Sequence, residues 1–135
     1  MAARQPSISD TELEVLKVLW DHGPGTVRAV DAVLRRSGRR WAYNTVLTLL
    51  QRLQAKGYVR SDKGSPAHVF HPLVSRDGLL QQGLQDLADR LCEGTASPLL
   101  LALVDKHTFT PREIEQFRRL LDELEGKQPR ERRRP

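Results

Sequence analysis

Trp41–Gly57, WAYNTVLTLLQRLQAKG, is the stretch on which the fold turns. Val46, Leu49, Leu50 and Leu53 recur at helical spacing, so a helix is expected from about Ala42 to Lys56, with one buried face and Gly57 closing it. The opposite face carries Asn44, Thr48, Gln51 and Arg52, and the whole stretch contains no Asp or Glu. A helix whose outer face is merely solvated usually mixes both signs of charge there.

Two more helices are expected upstream. Ser9 and Glu12 have the S-x-x-E spacing of a capping box, with Ile8 and Leu13 placed as a hydrophobic staple. Leu13, Leu16, Leu19 and Trp20 continue as an apolar stripe until Gly23 and Pro24. Thr26 is a second N-cap, Val27, Val30, Val33 and Leu34 line one face behind it, and Gly38 lies past the end. Downstream the period changes. YVRSD and AHVFHPLV flank KGSP and read as a β-hairpin, with Gly64 as turn glycine and Pro72 limiting the second strand.

Three helices and a hairpin, in that order, predict a winged helix-turn-helix domain over residues 1–74. The rest is helical. Ser75 caps a helix carrying Leu79, Leu80, Leu84, Leu87 and Leu91. CEGTAS breaks it, Pro98 opens PLLLALVDK, and T-P-x-E at Thr110 opens a helix striped by Ile114, Phe117, Leu120, Leu121 and Leu124. The predicted fold class is mainly α with a small β-hairpin. A helical dimerisation domain of three helices is expected over residues 75–126, and a basic tail without fixed structure over 127–135.

The chain has 22 Lys and Arg against 17 Asp and Glu, a net charge of +5. Residues 1–73 hold 11 cations and 6 anions, whereas residues 74–135 hold 11 of each. A polyanion is therefore expected on the first half. Cys92 is the only cysteine, so no disulfide forms within the chain. The N-terminus has no apolar signal core, and no apolar run reaches a membrane span. A cytoplasmic protein without direct membrane insertion is expected.

Amides, hydroxyls and a guanidinium are what a helix needs to read base edges in a major groove without repelling phosphates. Arg52 is suited to guanine, Asn44 and Gln51 to adenine, and Thr48 to a base or a thymine methyl. Arg39, Arg40 and Lys56 flank the helix where phosphates would pass, and Arg60 and Lys63 lie in the wing. His68 and His71 fall on opposite faces of a strand, which disfavours a shared metal. There is no phosphate loop, nucleophile elbow or HExxH. Neither metal, cofactor nor catalysis is expected. The rival from another class is a protein-interaction adaptor, in which the winged helix binds protein without specific DNA binding. Salt separates the two, because DNA binding weakens steeply through counterion release.

The stretches ISDTELEVLKVLWDHGPGTVRAVDAVL, WAYNTVLTLLQRLQAKGYV and HPLVS resemble the BlaI/MecI family of penicillinase-repressor-type regulators, over about Ile8 to Leu124. The resemblance implies a homodimeric repressor whose winged helix binds a palindromic promoter operator in double-stranded DNA. It places Asn44, Thr45, Leu47, Thr48 and Arg52 toward the DNA. Asn44 and Leu47 stand where many members carry Lys, so Arg39 and Arg40 would restore part of the charge. In antibiotic-resistance members a membrane metalloprotease sensor acts upstream, and the repressor is cut within the dimerisation helices. The corresponding bond here is Ala102–Leu103, without the family's Asn–Phe pair. The cysteine cluster of the family's copper sensors is missing.

A dimer is also expected on physical grounds. About fifty residues rarely make an adequate core alone. Sharing one across a two-fold axis would bury Leu79, Leu84, Leu87, Leu91, Leu99, Leu103, Phe117, Leu121 and Leu124. The alternative is that these helices fold back on the first domain as a monomer.

Overall fold

The computed structural model describes residues 6–62, 64 and 67–127. Lys63 and residues 128–135 of the basic tail lie outside the described residues. The elements are α1 (Asp10–His22), α2 (Val27–Arg36), α3 (Tyr43–Ala55), β1 (Val59–Asp62), β2 (Val69–Pro72), α4 (Arg76–Leu91), α5 (Ser97–Lys106) and α6 (Pro111–Lys127). They form two compact units, residues 1–83 and 84–135, so the first two turns of α4 belong with the first unit.

In the first unit α1 begins as its spacing predicts. The Ser9 hydroxyl accepts the Glu12 N–H at 3.2 Å, and the Glu12 carboxylate accepts the Ser9 N–H at 2.9 Å. Gly23 ends the helix in the left-handed region, at φ 87°, and donates its N–H to Leu19. The buried face is broader than the expected stripe. Val15 and Val18 are buried beside Leu16 and Leu19, while Leu13 and Trp20 are only half-buried. The reason is that α1 packs against α2, α3 and β2 together.

The core joins Val15, Leu16 and Leu19 of α1, Val27, Val30 and Leu34 of α2, and Val46, Leu49, Leu50 and Leu53 of α3. Tyr58, Val59 and Phe70 of the hairpin complete it. Strands β1 and β2 pair antiparallel, from Val59 opposite Pro72 to Asp62 opposite Val69. Gly25 exchanges two backbone hydrogen bonds with Phe70, at 2.8 and 3.1 Å, so the segment before α2 is fastened to the wing. At the other end of the hairpin the Asp62 carboxylate accepts the Gly64 N–H at 2.9 Å.

Among the described residues, one charged side chain is buried. Glu12 is 2% exposed and accepts a 2.6 Å hydrogen bond from the Lys56 ammonium, which also donates to the Ser7 carbonyl at 2.9 Å. Burial pushes the Glu12 carboxyl up, but the Lys56 bond, the Ser9 N–H, the Lys56 charge and the Ser9 hydroxyl together hold it below the usual carboxylate range. The Tyr58 hydroxyl donates to the Pro6 carbonyl. Residues 6 and 7 are thus tied to the end of α3 and the start of the wing.

The start of α4 is also fixed to the first unit. The Trp20 indole N–H donates to the Val74 carbonyl at 2.9 Å, and the Arg76 guanidinium lies 5.2 Å from the indole ring while bonding Asp21 at 2.8 Å. Ser75 caps α4 by accepting the Gly78 N–H at 2.9 Å. Leu79 packs against the first unit's core. It is expected in a shared dimer core; in the single chain it lies in the first turn of α4, against the first unit.

In the second unit Glu93 and Gly94, at φ 54° and 89°, turn the chain between α4 and α5. Helix α6 starts with a reciprocal cap, Thr110 hydroxyl to Glu113 N–H and Glu113 carboxylate to Thr110 N–H. Phe109 meets Phe117 edge-on at 5.1 Å between ring centres. Neither α5 nor α6 has a buried residue. Leu87 and Leu99 are half-buried, but Leu84, Leu91, Leu103, Phe117, Leu121 and Leu124 are 37–72% exposed. Soluble single chains rarely leave so many large apolar side chains open on one small unit.

Candidate nucleic-acid interface

Helices α2 and α3 are joined by a turn that Gly38 makes possible, at φ 98°. The Ser37 hydroxyl accepts no part of this cap and instead donates to the Val33 and Leu34 carbonyls, both at 3.1 Å, while the Arg39 N–H donates to Leu34 at 2.9 Å. The turn sets α3 so that Val46, Leu49, Leu50 and Leu53 point into the core. Asn44, Thr45, Thr48, Gln51 and Arg52 are left exposed.

This outer surface has two sides. Asn44, Thr45, Thr48 and Arg52, with the edge of Leu49, border a shallow depression of about 310 Å³. On the other side, a groove of about 730 Å³ opens between α3, the start of α2 and the wing, bordered among others by Arg28, Tyr43, Leu47, Gln51, Gln54 and His68. Among the described residues, no carboxylate lines either one. The Gln54 amide donates to the Ser61 hydroxyl at 3.1 Å and ties α3 to β1 beside the groove. The surface offers donors and acceptors in a setting that does not repel an anion.

The residues singled out in the sequence separate into groups here. Asn44, Thr45, Thr48 and Arg52 lie together on α3, and Arg40 is exposed just before it. Leu47 is half-buried and packs against the core, bordering the groove on the wing side. Arg60 is exposed on β1 opposite His71. Two cations have other employment. Lys56, expected at a phosphate, is taken up by Glu12 and the Ser7 carbonyl. Arg39, expected at a phosphate, makes a two-point bond to Glu14 of α1, at 2.7 and 2.8 Å, and lies 5.1 Å from the Trp41 ring centre. The Glu14 hydrogen bond, then its charge, hold the guanidinium more firmly protonated than usual.

Arg28, Tyr43 and Gln54 were not singled out in the sequence. Tyr43 and Gln54 could have been found by spacing. Tyr43 and Leu47 are four apart, and Gln51 and Gln54 continue the same stripe of α3. Arg28 stands in a different helix, and its place beside that stripe depends on the pairing of Gly25 with Phe70.

Comparison of the sequence with known proteins shows the family. The sequence profile of the penicillinase repressor family matches residues 8–123. The chain is 36% identical over 127 residues to the transcriptional regulator BlaI of Mycobacterium tuberculosis, covering 92% of this chain and 89% of that one. It is 28% identical over 118 residues to the penicillinase repressor of Bacillus licheniformis, covering 87% and 91%. Among solved structures, the DNA-binding domain of the repressor BlaI is 32% identical, covering 57% of this chain and 93% of that one at a TM-score of 0.49. With a family profile spanning most of its length, this winged-helix chain belongs to the penicillinase repressor, or BlaI/MecI, family.

Proposed function

We propose that the protein is a homodimeric transcriptional repressor that binds a palindromic promoter operator through its winged helix. The observation that carries this reading is the outer face of α3, where Asn44, Thr45, Thr48, Gln51 and Arg52 are exposed and no acid interrupts them. Relatives named as penicillinase repressor and methicillin resistance regulatory protein MecI support the regulatory role. In this reading α3 enters the major groove, Arg52 and Asn44 pair with purine edges, and Thr48 contacts a neighbouring base. Arg28, Arg40 and Arg60 neutralise phosphates on either side.

The exposed leucine and phenylalanine face of the second unit supports a dimer, with the partner chain as its cover. Two domains joined in this way bind two half-sites with a large gain in effective concentration. Release follows when a protease responding to a membrane sensor cuts α5 at Ala102–Leu103, where both residues are exposed in the single chain. The cut removes α6 from the shared core. The protein acts where the DNA is, in the cytoplasm, and no described helix is long and apolar enough to cross a membrane.

The test is fluorescence anisotropy with the duplex just upstream of the gene and a scrambled duplex, at two salt concentrations. Tight, salt-sensitive binding to the native duplex is expected. Thr48→Ala and Arg52→Ala are each expected to weaken it by about 1–3 kcal/mol, roughly five- to 150-fold, with little effect on the scrambled duplex. Absence of binding to either duplex at low salt would overturn the DNA reading in favour of a protein-binding winged helix.

A further inference from the structure

Helix α3 begins without a side-chain cap. Ala42 occupies the N-cap position, and the first turn carries Asn44 and Thr45. Serine, threonine, asparagine or aspartate would ordinarily fix such an end, and base reading needs that turn held closely in place. The restraint must come from outside the helix.

Arg39 and Trp41 supply it. The Arg39 guanidinium reaches back to α1, where both oxygens of Glu14 accept from it at 2.7 and 2.8 Å. Its other contact is the indole of Trp41, 5.1 Å from the ring centre, and Trp41 packs against the core one residue before the α3 cap. A planar guanidinium can make both contacts at once, whereas an ammonium cannot. Its charge is already answered by Glu14, so Arg39 is poorly placed to serve a phosphate as well.

We infer that Glu14, Arg39 and Trp41 form a brace that positions the first turn of α3, with Arg39 a positioning residue and not a phosphate ligand. The inference rests on the operator-binding reading for its effect on DNA, but not for its effect on α3 itself. A rival role for Arg39 is that it leaves Glu14 for a phosphate when DNA binds. The two roles have opposite signs for Glu14. A brace is weakened when Glu14 is neutralised, whereas a competing carboxylate, once neutralised, sets Arg39 free for the phosphate.

The pair is half-exposed, at 51% for Arg39 and 31% for Glu14, so the variants are expected to fold. The experiment uses the full chain with Glu14→Gln, Arg39→Lys, Arg39→Ala and the Glu14→Gln/Arg39→Lys double variant, against the upstream and scrambled duplexes over a range of salt. The brace predicts that each single variant binds the upstream duplex about tenfold more weakly, one good base contact's worth. The double variant is expected to be no worse than either single one. The slope of log affinity against log salt is expected to stay unchanged. Tighter binding by Glu14→Gln, or a slope reduced by about one in Arg39→Ala, would overturn it in favour of a phosphate contact.

A second readout needs no DNA. The Thr45 and Val46 amides donate to the Ala42 carbonyl at 2.9 and 3.2 Å, and their hydrogen exchange is expected to accelerate in Glu14→Gln and in Arg39→Lys. Unchanged exchange would overturn the brace. If the unaltered protein does not distinguish the duplexes, the operator reading fails by itself, and the exchange rates still decide the brace.

Discussion

Glu12 does two jobs with one carboxylate. It closes the cap of α1 through the Ser9 N–H and neutralises Lys56 at the end of α3. Because its folded pKa is depressed, it stabilises the fold above the ordinary Glu range, near pH 4.3, and that contribution is lost as pH falls through the lower folded value. Glu12→Gln is therefore expected to cost about 1–3 kcal/mol at pH 7, with a smaller deficit at pH 3. Urea unfolding at both pH values checks this, and an equal deficit at pH 3 would assign the loss to packing. The first job was legible in the sequence, because Ser9 and Glu12 are three residues apart. The second was not. Lys56 lies 44 residues from Glu12, and its place at the end of α3, the helix proposed to read bases, made phosphate the expected partner. The bond of Arg39 to Glu14 was hidden for the same reason, since Glu14 is 25 residues away.

At the scale of elements, local chemistry was the better guide. Thr26, Gly23, Ser75 and the T-P-x-E motif fix helix ends through bonds within a few residues, and each stands where its motif placed it. The width of α1's buried face was not legible, because it depends on how many neighbours pack around the helix. Helix α5 poses a different question. It has ten residues, Ala96 at its N-cap gives no side-chain bond, and none of its residues is fully buried in the single chain. A helix so short is marginal alone and opens readily. That is the physical opportunity for a cut at Ala102–Leu103, since a protease needs an extended chain. An immunoblot through full induction is expected to show a fragment ending near residue 102. Intact repressor alone throughout induction would remove proteolysis from the proposal.

On the scale of the whole molecule, the leucine stripes were plain in the sequence, but the unit each one serves was not. Leu79 begins the α4 stripe and yet packs against the first unit, whose hold on α4 runs through Trp20, Asp21 and Arg76. Leu121 and Leu124 instead remain more than half exposed. Sedimentation equilibrium is expected to give twice the 15.4 kDa of one chain, and Leu121→Asp is expected to weaken association by at least about 100-fold, through the cost of burying an unpaired carboxylate. A monomeric unaltered protein at tens of micromolar would argue against the dimer. The open apolar face then has an arithmetic consequence for a growing cell. Where most chains are free, dimer concentration follows the square of chain concentration. A doubling of cell volume without new synthesis halves the chain concentration and quarters that of the pairs, so a promoter held by pairs would respond to growth itself.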